Sequence, residues 1–130
     1  MGDLMGSFKV AGRDGLPVHV YEWLPDGEVK AVIQIAHGMA EHGARYERFA
    51  KFLNKAGYAV YADDHRGHGL TIPEGDIPGH MADDKGWEMA VEDLHLINQE
   101  ITQRHAGRKI ILMGHSMGSF MTQDYLARFG

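Results

Sequence analysis

One serine in this chain stands in a pattern that can do chemistry: Gly114-His115-Ser116-Met117-Gly118. The spacing has a physical reason. A serine at a sharp strand-to-helix turn has its Oγ pushed out above the sheet, and the crowded turn requires small residues two positions to either side. The helix that follows aims free N–H groups at the same point, where negative charge grows on a carbonyl oxygen under attack. The chemistry is therefore nucleophilic, with Ser116 attacking a carbonyl carbon. A chain with 17 glycines yields the pattern by shuffling about one time in twenty, so context decides. Ile110 to Met113 reads as an apolar, β-branched strand, and Phe120, Tyr125, Leu126 and Phe129 recur at helical spacing up to Gly130. In that setting the Ser116 backbone is expected in the αL or bridge region.

Two further groups lie at strand ends. His37-Gly38-Met39-Ala40-Glu41-His42 follows the apolar run Ala31 to Ala36, and Asp63-Asp64-His65-Arg66-Gly67-His68-Gly69 follows Tyr58 to Ala62. Histidines and aspartates together raise the question of a metal. The second loop is short and glycine-rich, however, and such side chains more often bond their own backbone, so none is expected. His115 sits beside Ser116 but points away from Oγ on such a turn and reads as structural. His19, His80, His95 and His105 belong to no constellation and read as surface or packing residues. No G-x-G-x-x-G or P-loop follows any strand, which disfavours nucleotide binding, and no cofactor is implied. The absence of cysteine removes a disulfide frame, a thiolate metal site and a cysteine nucleophile.

The elements that must position these residues are legible along the chain. Ser7 to Val10 and Leu16 to Trp23 read as paired strands around an Arg13-Asp14-Gly15 turn. Pro25-Asp26-Gly27 is a turn by its own chemistry. Ala31 to Ala36 suits a strand buried on both faces. Tyr46, Phe49, Leu53 and Ala56 predict a helix that Gly57 stops, and Tyr58 to Ala62 is the next strand. Asp63 to Lys85 reads as loop. Trp87, Val91, Leu94, Ile97 and Ile101 mark a long amphipathic helix, capped by Asp83 or Asp84. Alternation of this kind predicts an α/β fold with a mostly parallel sheet and helices on both faces.

The composition is that of a soluble globular domain: 130 residues, 44% apolar and 24% charged. A formal net charge of −5 with no Lys/Arg cluster argues against a nucleic-acid partner. The N-terminus carries neither a signal-peptide pattern nor a myristoylation pattern, and the longest apolar run is too short to span a bilayer. A cytoplasmic protein is expected.

Three motifs in this order, His37-Gly38-x-x-Glu41-His42-x-x-Arg45-Tyr46, Asp64-His65-Arg66-Gly67-His68-Gly69 and Gly114-His115-Ser116-Met117-Gly118-Ser119, resemble the monoglyceride lipase and bacterial lysophospholipase group of α/β-hydrolases. The resemblance runs from about Val18 to Gly130. It implies Ser116 as nucleophile, the backbone N–H groups of Met39 and Met117 as an oxyanion hole, and lipid-like acyl esters as substrates. Glu41, Arg45 and Arg66 would be structural or lie at the mouth of the site. The two oxyanion N–H groups should converge near Ser116 Oγ, at about 3 Å from a shared oxygen.

In such enzymes the triad runs Ser, Asp, His along the chain. The residues after Ser116 contain Asp124, on a helix and facing away, but no histidine. Residues 1–130 therefore read as the partial α/β-hydrolase domain up to the helix after the nucleophile, without lid or C-terminal half. Loss of the base lowers turnover by about four to six orders of magnitude. The alternative reading is a non-catalytic half-domain that serves as a binding or assembly module. In the fold resembled, the strand Ile110 to Met113 is central. Its outer edge is then expected to need a cover, from a second copy or a complementing C-terminal half.

Overall fold

The computed structural model describes residues 4–39, 41–72, 79–81 and 85–130. Strands β1 (Leu4–Ala11) and β2 (Pro17–Leu24) form a hairpin, followed by β3 (Ala31–Ala36), α1 (Glu47–Lys55), β4 (Tyr58–Asp63), α2 (Gly86–Arg104), β5 (Ile110–Gly114) and α3 (Met117–Phe129). The five strands make one sheet in the order β1-β2-β4-β3-β5. β2 runs antiparallel to β1 and β4, while β4, β3 and β5 are parallel. Four of the five strands thus point the same way, as the alternation of strands and helices requires.

Side-chain alternation divides the core. Val18 and Val20 of β2, Val32 of β3 and Ala59 and Tyr61 of β4 face α2, where Ile97 and Ile101 meet them. Tyr21, Trp23, Ile33, Ile35, Val60 and Ala62 face the other way, onto Ala50 and Leu53 of α1. Ala36 and Leu112 pack with Ala90, Val91 and Leu94 of α2 and with Met121 and Tyr125 of α3. Both faces of β3 and β4 are therefore covered, which explains their largely apolar runs. Gln34 interrupts one of them and is fully bonded: it donates to the Leu94 carbonyl at 3.2 Å and accepts from Asn98 at 3.0 Å.

The expected elements are present, with shifted ends. The hairpin strands extend beyond the short alternating stretches because their pairing continues from Leu4↔Leu24 to Ala11↔Pro17. Short 3₁₀ turns at Gly43–Tyr46 and Gly69–Thr71 occupy stretches without a clear period. The expected cap at Asp83 or Asp84 lies outside the described residues, and the residue that enters α2 is Lys85, at φ 55°. The hairpin is clamped to α2 by buried Arg66. Its guanidinium meets Asp93 through Nε at 2.7 Å and Nη2 at 3.1 Å, and meets Asp14 at 2.9 and 3.1 Å. Those Arg66 hydrogen bonds hold the Asp14 carboxyl down at about 2. No described helix is long and apolar enough to cross a membrane.

Candidate active site

The carboxyl ends of β3, β4 and β5 bring the three motifs together, where an open parallel sheet places its sites. Ser116 lies between β5 and α3 and is exposed. Its backbone is at φ 56°, ψ −120°. The positive φ agrees with the expected strain. The ψ does not: the residue is in neither the αL nor the bridge region, but in a conformation still less accessible to a side-chain-bearing residue. The departure is that of a type II′ turn with Ser116 at its first central position, closed by Gly118 N–H donating to the His115 carbonyl at 2.9 Å, and packing holds the turn in place. A Cβ on Gly114 would run into the Gly118 carbonyl and lie 2.5 Å from Thr122 Oγ1. A Cβ on Gly118 would strike the Ala36 carbonyl and come within 2.7 Å of His37 O. The elbow is thus pressed against the end of β3 with no freedom to relax.

This strain yields a test. Ser116→Gly is expected to raise stability by about 1 kcal/mol, the relief of the backbone less the cost of glycine's flexibility. The denaturation midpoint would report it. An unchanged or lowered midpoint would mean that the conformation carries no strain.

The His37–Glu41 loop lies directly against the elbow. A Cβ on Gly38 would be 3.0 Å from Ser116 Cβ and 3.2 Å from the His115 carbonyl. Several polar groups of this loop are engaged. Gly38 N–H donates to Glu41 Oε1 at 2.8 Å, and Tyr46 O–H donates to the same oxygen at 2.8 Å. The Gly38 N–H bond, with help from Tyr46, Arg45 and His115, holds the Glu41 carboxyl at about 2. Among the described residues the N–H groups of Met39 and Met117 meet no partner. For Met117 this follows from its place as the first residue of α3, where helical N–H groups are orphaned.

Under the loop lies a stack of histidines drawn from both strand-end motifs. His37 and His65 rings stack at 3.8 Å between centroids, and His68 tilts against His37 at 5.1 Å. His37 Nε2 accepts from the His65 backbone N–H at 2.9 Å, and His37 Nδ1 donates to the Gly38 carbonyl at 2.7 Å. His37 is thus neutral, and burial pushes its pKa down to about 4. His65 Nδ1 meets Asp63 Oδ2 at 2.7 Å, and Nε2 meets the His37 carbonyl at 3.0 Å. Burial opposes charge on both members of that pair. Each nonetheless holds the other ionised, so His65 is raised and Asp63 lowered from their usual ranges. A Gly after one strand and an Asp-x-His at the end of the next were the available signals, but their proximity comes from the parallel pairing of β3 and β4.

Asp64 accepts from Gly43 N–H at 2.6 Å, Leu70 N–H at 2.8 Å and Tyr21 O–H at 2.9 Å, so it ties the loop backbone as expected. Arg66 is buried away from the site. Glu41 and exposed Arg45, 3.3 Å apart, line one cavity of about 420 Å³ with Tyr46, Phe49 and Gly114. Met39 and His68 line a second, of about 350 Å³. His115 is exposed, with Nδ1 3.5 Å from Glu41 Oε1. Asp124 bonds Trp87 and Arg128 on the helical side. His105 bonds Tyr61 at 2.7 Å and His95 stacks on Phe129 at 4.0 Å, both packing roles. Among the described residues no histidine bonds Ser116.

A family model described as serine aminopeptidase, S33 matches residues 27–129. The chain is 36% identical over 119 residues to a monoacylglycerol lipase of Mycolicibacterium smegmatis, covering 92% of this chain and 40% of that protein. It is 33% identical over 116 residues to the monoglyceride lipase of Homo sapiens, covering 84% of this chain and 34% of that protein. The fold superposes on a thermostable carboxyl esterase from Bacillus coagulans with a TM-score of 0.86 and 29% identity, over 95% of this chain and 40% of the esterase.

Proposed function

Because this chain belongs to the serine aminopeptidase S33 family of α/β-hydrolases and resembles monoglyceride lipases within it, we propose that it carries the nucleophile of a carboxylic ester hydrolase. The chain spans about 40% of the length of the M. smegmatis relative, so the complete reaction belongs to the proposal. In it, Ser116 Oγ attacks the ester carbonyl carbon and its proton passes to a base. The carbonyl oxygen, now negative, rests on the N–H groups of Met39 and Met117. Collapse expels the alcohol and leaves an acyl-Ser116 ester, which water then hydrolyses. Substrates are monoacylglycerol-like esters, on the names of the relatives, or lysophospholipid-like esters, as the motif resemblance implies.

The strained backbone of Ser116 carries this reading. Strain of that kind at φ 56° persists where the surroundings over-determine it, and it clusters at reactive positions. The engaged Gly38 loop and the free N–H groups of Met39 and Met117 support the oxyanion assignment. In this reading the base and its acid come from outside the described residues, among which no histidine bonds Ser116. The outer edge of β5 is a fitting surface for the cover: Ile111 is 51% exposed there, and Phe120 and Leu126 of α3 are exposed nearby in the chain. A second copy or a complementing C-terminal half is the partner proposed, and no nucleic acid is involved.

A fluorophosphonate probe tests the reading. Ser116 should be labelled when the edge is complemented, and Ser116→Ala should abolish labelling. A folded, complemented protein that resists the probe would favour the alternative, a non-catalytic binding or assembly module.

A further inference from the structure

Each ring nitrogen of buried His65 faces an oxygen: Asp63 Oδ2 at 2.7 Å and the main-chain carbonyl of His37 at 3.0 Å. A carbonyl only accepts, and an ionised carboxylate only accepts. Both nitrogens must then carry protons. The backbone N–H of the same residue donates to His37 Nε2 at 2.9 Å. His65 therefore grips His37 twice, by its carbonyl and by its ring. His37 in turn bonds the Gly38 carbonyl at 2.7 Å through Nδ1. Gly38 leads directly into Met39 and lies against Ser116.

We propose that His65 is a permanent imidazolium, held by Asp63, whose role is to position the His37–Met39 loop beside Ser116. The catalytic sense of that positioning rests on the nucleophile reading above; the charge and the grip do not. His65 touches no reacting atom and acts through the loop. Two features favour the arrangement. Two protons on the ring fix its orientation at both ends, where a neutral imidazole would leave one nitrogen lone pair against an oxygen. The cation also stacks on a neutral partner, which avoids a second buried charge. The groups facing His65 are Asp63 at the end of β4, Asp64 in the following loop, His37 after β3 and His68. Both aspartates favour the cation.

The test is nitrogen NMR of the histidine rings in the labelled chain. His65 should show both ring nitrogens protonated without titration from about pH 6 to 8, a range that spans the ordinary histidine midpoint. His37 should show a single neutral tautomer with the proton on Nδ1. In Asp63→Asn, exchange of the bonded amides of Gly38 and His65, which donate to Glu41 Oε1 and His37 Nε2, should accelerate at least about tenfold relative to amides of α2, as expected for local rather than global opening. A neutral or freely titrating His65 in the wild-type spectrum overturns the proposal, even if Asp63→Asn fails to fold. Unaltered exchange at Gly38 and His65 in a folded variant overturns the positioning role. Neither readout requires Ser116 to react, so failure to label Ser116 would count against the hydrolase reading alone.

Discussion

Gly118→Ala is expected to abolish the cooperative fold or to lower its stability by about 3 kcal/mol or more, at the upper end of overpacking effects. The added methyl would run into the Ala36 carbonyl and lie 2.6 Å from its carbon and 2.7 Å from the His37 carbonyl oxygen. These are backbone atoms of β3 and of the loop after it, so no rotamer change makes room. Either α3 lifts off the sheet or the end of β3 is displaced. The first forfeits contacts of buried Met121 and Tyr125, and the second moves the histidine stack. Thermal unfolding followed by circular dichroism would measure the loss. Gly107→Ala is the control. Gly107 has φ 82° and open space around the added methyl, so it isolates backbone strain, which costs about 1 kcal/mol. Equal effects at the two positions would show that the close approach at Gly118 is not what matters.

Asp93→Ala is expected to cost about 3–5 kcal/mol, because it strands a buried cation. The Arg66 side chain is 1% exposed and makes two of its hydrogen bonds to Asp93. The Arg13 backbone N–H would lose its partner too, since it donates to Asp93 Oδ1 at 3.0 Å. Asp14 remains on Nη1 and Nη2, but it is 42% exposed and does not bond Nε, which meets Asp93 at 2.7 Å. The measurement is the urea midpoint of Asp93→Ala against that of the paired replacement Arg66→Met with Asp93→Leu. Removing both partners should recover most of the loss, since an apolar pair leaves no charge uncompensated. A double variant as unstable as the single one would mean that the clamp is worth its charge, and that the hairpin depends on it for more than neutralisation.

Much of this molecule follows from local pattern. The runs Ala31 to Ala36 and Tyr58 to Ala62 are apolar on both alternations, so they had to lie between two layers, and both do. The helical spacing from Trp87 to Ile101 marks α2, whose Ile97 and Ile101 are buried. The glycines at 114 and 118 pointed to a crowded turn around Ser116 because small residues at that spacing have few other uses. Each of these inferences rests on an interaction between residues a few positions apart, which a sequence displays directly.

Tertiary structure decided what depends on distant segments meeting. The resemblance led to the expectation of an open outer edge on β5, but the order that seats β3 between β4 and β5 is decided by distant segments meeting. The ψ of Ser116 is that of a tight turn closed by the bond from Gly118 N–H to the His115 carbonyl at 2.9 Å, and only the fold shows that this turn sits against Ala36 at the end of β3. His37 and His65 are 28 positions apart, and nothing local distinguishes a neutral histidine from a charged one. Burial and partners make that choice: the end of β3 removes water from both rings, Asp63 stabilises the cation on one, and a backbone N–H holds the other neutral. The sequence determined which residues could do chemistry, and the parallel pairing of β3 with β4 and β5 determined which of them meet.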